Sequence, residues 1–150
     1  MLEQKIEQDL KAALIARDSQ KVSTLRGLKS ALLNLKVATG KRESGLSEDE
    51  IIGVLSKQSK QRQESADLYV QGKDQARADA ELAEKTLIDA YLPTQLSADD
   101  LAPIIDKVIA DTGANSPAAM GQVIGAVRAQ TTGRADGALI ARLVKEKLGT

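Results

Sequence analysis

The chain of 150 residues carries 21 basic and 21 acidic residues, so its net charge is zero, and it is long enough for one domain or two small ones. It contains no cysteine and no histidine, which excludes disulfides, thiolate nucleophiles, histidine general bases and zinc sites with the usual nitrogen and sulfur ligands. With no Phe or Trp and two Tyr, the core must be aliphatic, which favours closely packed helices over a large aromatic-lined pocket.

Helical spacing of apolar residues starts at the N-terminus. An aliphatic residue recurs every fourth position over residues 2–14, which predicts a first helix that reaches about Arg17. A second apolar stripe, over residues 22–35, predicts a second helix with Gly40 as its C-cap.

The third predicted helix starts with a strong signal. Ser47 followed by Glu50 forms a capping box, in which each side chain bonds the backbone N–H of the other residue, and the helix then runs to about Gly72. Its apolar stripe is interrupted by polar residues at 56–65. That stretch therefore either projects into solvent or faces a polar partner.

A fourth helix is predicted from about Asp74 to Tyr91. Pro93 stops it, because the residue before a proline is pushed out of helical geometry. The same proline marks the expected boundary between an N-terminal subdomain, residues 1–93, and a C-terminal subdomain, residues 94–150.

Three shorter helices are predicted after this boundary. Ser97 and Asp100 form a second capping box, but Pro103 then falls beyond the first helical turn, so we expect the regular helix to start nearer Asp100. The Ser-Pro pair at 116–117 suits the N-cap and first position of the next helix, and Asp136 can cap the last one. No strand-like alternation persists, so the predicted fold class is all-α, with about four helices followed by a three-helix bundle.

Two acidic clusters, residues 48–50 and 99–100, are candidates for acid–base or metal chemistry. Both lie at the first turn of a helix, where the helix dipole favours negative charge, and no third metal ligand can be placed beside them. We therefore expect no metal site, no cofactor and no catalytic residue.

Positive charge is concentrated between Arg17 and Arg42, where seven basic residues stand against one acid, Asp18. Lys60 and Arg62 extend this basic character. Such a segment is either a solvated helix face or a surface that contacts phosphates.

Two glycines and an arginine of the C-terminal part also have both a structural and a functional interpretation. Gly121 and Gly125 each cost a helix about 0.5–1 kcal/mol relative to Ala, so they serve either close helix packing or the approach of a partner to bare backbone. Arg134 lies beside a predicted helix N-terminus, where an arginine either builds an anion site or is merely solvated.

Several segments, in their order along the chain, resemble the YqeY family. They are YLPTQLS at 91–97, MGQV at 120–123 and GRADG at 133–137, with LRGLKSA at 25–31 and KQRQES at 60–65 upstream. The resemblance covers essentially the whole chain and implies a two-part helical protein similar to the tail of the B subunit of tRNA-dependent amidotransferases. In that enzyme, the tail engages the tRNA body and the kinase and transamidase chemistry lies elsewhere.

The resemblance leads to a first hypothesis: a module, not catalytic alone, that binds folded tRNA or a complex of tRNA with an aminoacyl-tRNA-handling protein. Recognition would use shape and phosphate contacts, because two tyrosines are too few for the stacking platforms that bind single strands. One alternative is a helical protein–protein adaptor. The other is an accessory component of a carbon–nitrogen ligase with glutamine as amide donor, a label carried over from the larger enzyme.

The candidate RNA contacts follow from these arguments. We predict them at Arg134, Gly133, Gly121 and Arg128 in the C-terminal part, and at Arg26, Lys29, Lys60 and Arg62 in the N-terminal part. The first residues, MLEQK, are polar where a signal peptide requires an apolar core, and no apolar run is long enough to span a membrane. We therefore expect a cytoplasmic protein without a membrane or DNA partner.

Overall fold

The structure is a computed structural model that describes residues 2–132 and 134–149. Within these residues the chain forms seven α-helices and one short 3-10 helix and contains no strand, so the all-α prediction is confirmed. The chain divides into two compact units, Met1–Leu92 and Pro93–Thr150, one residue before the boundary that we expected. None of the described helices is long and apolar enough to cross a membrane.

The first unit contains four helices, in which α1 packs on α2, α2 packs on α3 and α4, and α3 packs on α4. Their bounds are Leu2–Ala16 for α1, Ser19–Thr39 for α2, Glu48–Gln71 for α3 and Gln75–Asp89 for α4. Gly40 ends α2 in a left-handed conformation, with φ of 70°, as the sequence predicted.

The core of this unit consists of side chains from all four helices and from the segments beside them. Tyr91 is its one aromatic member, and the other members are aliphatic, as the composition requires. The buried members are Ile6, Leu10, Ala13, Val22, Leu25, Leu28, Leu32, Leu46, Ile51, Leu55, Ile88 and Tyr91.

The helix pairs α1–α2 and α3–α4 are joined by similar turns. Arg17 and Lys73 each adopt a left-handed conformation, with φ of 57° and 60°. The next residues, Asp18 and Asp74, are the N-caps of α2 and α4. A left-handed conformation costs a non-glycine residue about 1–2 kcal/mol, so both turns hold backbone strain.

The polar stretch of α3, residues 56–65, contacts α4 of the same unit rather than only solvent. Ser59 is buried, and its hydroxyl donates a hydrogen bond to Asp89 on α4. The Asp89 carboxylate also accepts a hydrogen bond from Lys85 Nζ at 2.6 Å. Of the two alternatives that the sequence left open, the polar partner applies at this position, and the partner belongs to the same chain.

Tyr91 closes the first unit with its phenol turned inward. The side chain is 8% exposed, and its hydroxyl donates a hydrogen bond to Asp9 on α1 at 2.5 Å. The Lys5 ammonium lies 5.6 Å from the ring centroid. Burial raises the pKa of the Tyr91 phenol above its usual value of 10.0, and the hydrogen bond to Asp9 and the charge of Asp9 act in the same direction.

This raised pKa predicts an unusual alkaline titration. The stabilisation that Tyr91 provides is complete below about pH 10, the unfolded pKa, and is lost as the pH rises through the higher folded pKa. In a Tyr69→Phe variant, which leaves Tyr91 as the one tyrosine, we expect no tyrosinate absorbance at 295 nm near pH 10 while the chain is folded. In urea the same phenol should ionise near pH 10, and equal titration curves in the two conditions would contradict the prediction.

The second unit contains three α-helices and one 3-10 turn. Its elements are α5, Ala98–Thr112; a 3-10 helix, Pro117–Ala119; α6, Met120–Gln130; and α7, Gly137–Lys147. The three α-helices contact one another pairwise, and the 3-10 turn contacts α6. The buried core consists of Leu101, Ile105, Val108, Val123, Val127, Ile140 and Val144.

The start of α5 corrects one prediction. We expected regular helix only from about Asp100, because Pro103 lacks the N–H that an interior position donates. Instead α5 begins at Ala98, and Pro103 lies inside it. Ser97 and Asp100 form the full reciprocal capping box, with N–H to side-chain distances of 3.0 and 3.1 Å, and Pro103 lies on the exposed side. The box fixes the first turn, and the chain accommodates one missing hydrogen bond at the surface.

Two predicted N-caps are in position without making the bond that we expected. Ser116 precedes the 3-10 turn rather than α6 itself, and its side chain makes no capping hydrogen bond. Asp136 precedes α7, but its side chain does not bond the helix amides either. These two helices therefore start without the side-chain cap that α2, α3, α4 and α5 have.

Candidate nucleic-acid interface

The exposed side of α6 carries glycine and arginine along one stripe. Gly121, Gly125 and Arg128 follow at spacings of four and three residues, which places them on one face of α6, and Thr132 follows in the turn after the helix. All four are exposed. A Cβ built on Gly121 or Gly125 would meet no side chain and no other part of the chain within 4 Å. We call these four residues the glycine–arginine face.

This geometry bears on the two explanations that the sequence left open for the glycines. Close packing against another helix of the chain would place atoms within contact distance of the missing Cβ, and there are none. The structural explanation for Gly121 and Gly125 is therefore wrong within the described residues. The other explanation, bare backbone that a partner could approach, stays a prediction.

Arg128 brings positive charge to the start of α7. A Cβ built on Gly137, the first residue of α7, would lie 3.9 Å from Cζ of Arg128 and 4.0 Å from its Nε. The guanidinium is therefore beside the N-terminus of α7, where Asp136 leaves the helix amides without a side-chain cap. Free N–H groups and a guanidinium both favour an anion at this end of the helix.

Arg134 is held by its backbone, while its side chain is exposed. Its carbonyl accepts a hydrogen bond from the N–H of Leu96 at 2.6 Å, and its N–H donates to the carbonyl of Thr131 at 2.8 Å. Thr131 is itself buried and bonds the carbonyl of Val127 at 2.8 Å. The loop after α6 is therefore fixed at both of its described ends. Gly133, which we also predicted as a contact, lies outside the described residues.

The charge of Arg134 acts on a carboxylate that has another role, that of Asp100. The pKa of Asp100 is lowered mainly by the hydrogen bond from the backbone N–H of Ser97 and next by that with the Ser97 side chain. The charge of Arg134 acts in the same direction. Asp100 thus remains ionised as part of the α5 capping box. Within the described residues Arg134 makes no ion pair of its own, so its guanidinium is available to an external anion.

The family model described as Yqey-like protein matches residues 3–148, which is nearly the whole chain. The chain belongs to this family. No curated protein matches the chain significantly. Membership confirms the resemblance that residues 91–97, 120–123 and 133–137 indicated.

The first unit of this Yqey-like chain does not gather its four predicted contacts on one surface. Arg26 is exposed and makes no ion pair within the described residues. Lys29 lies 3.4 Å from Glu7 of α1, in an exposed pair. Lys60 is exposed on α3, about 200° around the helix from Arg62.

Arg62 differs most from the expectation. Its Nε lies 2.8 Å from a carboxylate oxygen of Glu84 and 3.8 Å from one of Glu81, both on α4. Its Nη1 donates a hydrogen bond to Gln58 at 3.1 Å, and its other guanidinium nitrogen lies 4.0 Å from where a Cβ of Gly27 would stand. The guanidinium thus lies between α3 and α4, close to α2, and is already paired with carboxylates there. The RNA contact predicted for Arg62 stays a prediction.

The acidic clusters of the Yqey-like chain act at helix ends. Glu50 forms the α3 capping box with Ser47, and a hydrogen bond from Lys41, followed by that of the Ser47 N–H, lowers the pKa of Glu50. Among the described residues no group of three carboxylates converges as metal ligands would.

A groove that the sequence did not predict lies where α1 meets α2. It has a volume of about 460 Å³ and is lined by Leu14, Arg17, Ser19, Val22, Ser23 and Arg26. The sequence signal for this groove is that arginine and aliphatic residues, such as Arg26 and Leu33, occur on α2 outside its buried stripe.

Proposed function

We propose that this chain is a non-catalytic module that binds folded tRNA, or a complex of tRNA with a protein, through the glycine–arginine face and Arg134. The observation that carries the proposal is the stripe on α6. Two glycines that weaken the helix, and whose missing Cβ atoms have no contact to fill among the described residues, stand in line with Arg128, which makes no ion pair in that part of the chain. Bare backbone on such a face would let an RNA strand approach closely, and the arginine would bond its phosphates.

The arrangement favours phosphate over base recognition. The Arg128 guanidinium lies beside the uncapped N-terminus of α7, and the backbone of Arg134 is held shortly before it, while guanidinium groups and helix amides are both phosphate donors. Neither tyrosine belongs to this unit, so the face has no aromatic side chain on which an unpaired base could stack. A folded RNA with a continuous sugar–phosphate surface suits this set of contacts better than a single strand.

The glycines provide a direct test. Replacing Gly121 and Gly125 by alanine should stabilise α6 by about 0.5–1 kcal/mol for each residue, since no contact opposes the added methyl groups. We expect the same variant to bind total tRNA about three- to tenfold more weakly in a filter-binding assay at low salt, because the methyl groups hold the strand away. Stabilisation together with weaker binding would support an interface.

A matched control is available in the other unit. Gly53 lies inside α3, is exposed and also has nothing within 4 Å of its missing Cβ. Gly53→Ala should therefore raise stability by a similar amount and leave tRNA binding unchanged. If the α6 variant binds tRNA as well as the Gly53 variant does, the glycine–arginine face is not the RNA interface.

A further inference from the structure

We infer that the groove between α1 and α2 docks an acidic, amphipathic helix of a protein partner. The proposal goes beyond RNA binding and does not depend on it. The groove has a volume of about 460 Å³, which lies in the range of natural ligand sites. Leu14 and Val22 supply apolar walls, Ser19 and Ser23 supply hydroxyls, and the guanidinium-bearing residues Arg17 and Arg26 complete the lining.

The groove continues into an exposed stripe that runs the length of α2. Residues on this stripe recur every three or four positions, so they share one side of the helix. From the first to the last of them the stripe is about 27 Å long, at 1.5 Å per residue. Its members are Ser19, Ser23, Arg26, Ser30, Leu33 and Val37. A small molecule would fill the groove alone, whereas a helix of matching length would cover the whole stripe.

Large aliphatic side chains are unusually exposed along this surface. Leu33 and Val37 are each 51% exposed, and Leu14 on α1, which lines the groove, is 47% exposed. Exposed Leu, Ile and Val gain free energy when a partner covers them, and helix-in-groove recognition uses anchors at this spacing. An RNA backbone would have to bring phosphates against these apolar groups, which disfavours RNA as the occupant.

The charge of the groove defines the partner further. Lys29, Lys36 and Lys41 of the same basic segment are paired with carboxylates of α1 and α3. Arg17 and Arg26 have no such pair within the described residues. The adjacent acid, Asp18, uses its carboxylate to accept the N–H of Lys21 at 3.1 Å. Two uncompensated guanidinium groups beside apolar anchors complement a helix with Glu or Asp beside Leu or Val.

The strained turns of the first unit provide a matched pair of variants. Arg17 lines the groove in a left-handed conformation, with φ of 57°, and Lys73 has φ of 60° at the turn between α3 and α4. Glycine relieves the strain at either position and removes one positive charge. Arg17→Gly and Lys73→Gly should therefore unfold at similarly raised temperatures, although only the first alters the groove.

The experiment uses the full chain and fluorescence anisotropy of three labelled synthetic peptides of about 18 residues, long enough as helices to span the stripe. One carries leucine on one face and glutamate beside it, the second is its scrambled isomer, and the third has lysine in place of glutamate. We expect the first peptide to bind at least about tenfold more tightly than the other two. Arg17→Gly and Arg26→Gln should each weaken its binding about three- to tenfold, and Lys73→Gly should leave it unchanged.

Three outcomes would overturn the inference. They are equal binding of the three peptides, no binding of the acidic peptide up to about 1 mM, and an equal effect of the Arg17 and Lys73 variants. Total tRNA added to the peptide complex serves as the competitor. Displacement by tRNA would assign the groove to RNA and contradict the protein partner, whereas tRNA binding that leaves the peptide in place would keep the two surfaces separate. Leu33→Asp, at an exposed position, should abolish peptide binding without loss of helicity by circular dichroism.

Discussion

Replacement of both Arg128 and Arg134 by glutamine is expected to lower the affinity of the chain for folded tRNA about 100-fold at low salt. A charge-assisted hydrogen bond contributes about 1.5 kcal/mol, which is about tenfold in affinity for each arginine. Both side chains are exposed and neither has an ion pair within the described residues, so their removal should leave the fold intact. Circular dichroism and filter binding on the same preparation test the two halves of the prediction.

The salt dependence of binding reports the same contacts independently. Each phosphate that an arginine neutralises contributes about −0.9 to the slope of log affinity against log salt on duplex-like nucleic acid. The double variant should therefore show a slope that is less steep by about 2 than that of the unmodified chain. An unchanged slope, or a slope near zero for the unmodified chain, would contradict phosphate recognition by this face.

The control removes the same charge from two ion-paired residues of the same unit. Arg142 lies 4.0 Å from Glu146, and Lys147 lies 2.7 Å from Asp106, so both cations already have a carboxylate partner. Replacement of Arg142 and Lys147 by glutamine changes the net charge as the test variant does. We expect less than about a threefold loss of tRNA affinity, because long-range attraction alone remains affected. Equal losses in the two double variants would indicate unspecific attraction rather than a defined face.

The sequence predicted the helices well wherever the signal was local. Ser47 with Glu50, and Ser97 with Asp100, form the reciprocal bonds that their spacing predicted, and Gly40 ends α2 in the left-handed conformation. Each of these features depends on residues within one turn of each other, so a single sequence contains the information. The start of α5 differs from the prediction because Ser97 and Asp100 favour a helix from Ala98, whereas Pro103 disfavours it, and the capping box prevails.

The polar contacts between helices could not be predicted in the same way. Residues 56–65 of α3 look like a solvated face because their inward positions are polar, and their partners on α4 lie 22 to 30 residues away. The inward positions of α3 continue regularly through Leu55, Ser59, Arg62 and Ala66. The helical spacing of these inward positions is visible in the sequence. A search for hydrophobic residues alone misses it, because two of the four positions are polar and pair with polar groups of α4.

The candidate site shows the same limit for function. The sequence singled out Gly121, Arg128 and Arg134 separately, and the structure adds that Gly121 and Gly125 have no packing role and that Arg128 lies beside Gly137. The sequence did not predict the groove. Exposed Leu33 and Val37 differ from the buried aliphatic residues of α2 only in the side of the helix on which they lie. Distinguishing these sides requires the positions of α1 and α3.

Arg62→Met is expected to lower the free energy of unfolding by about 2 kcal/mol, because it leaves Glu81 and Glu84 close together without their cation. Removing one partner from a fully buried pair costs about 3–5 kcal/mol, but the Arg62 side chain is 21% exposed, so water screens part of the loss. Glu84→Gln in the same background should recover part of the stability, since it removes one of the two repelling charges.

Lys60→Met is the control for this loss, because Lys60 is exposed on the same helix and has no carboxylate partner within the described residues. Its effect should stay within about 0.5 kcal/mol in urea unfolding followed by circular dichroism. The comparison also decides between the two roles considered for Arg62. A guanidinium that holds α3 to α4 must cost stability when it is removed and must leave tRNA affinity unchanged. Suppose instead that Arg62→Met is as stable as Lys60→Met and binds tRNA more weakly than the unmodified chain does. The ion pairs with α4 then contribute little to stability, and Arg62 contacts the RNA.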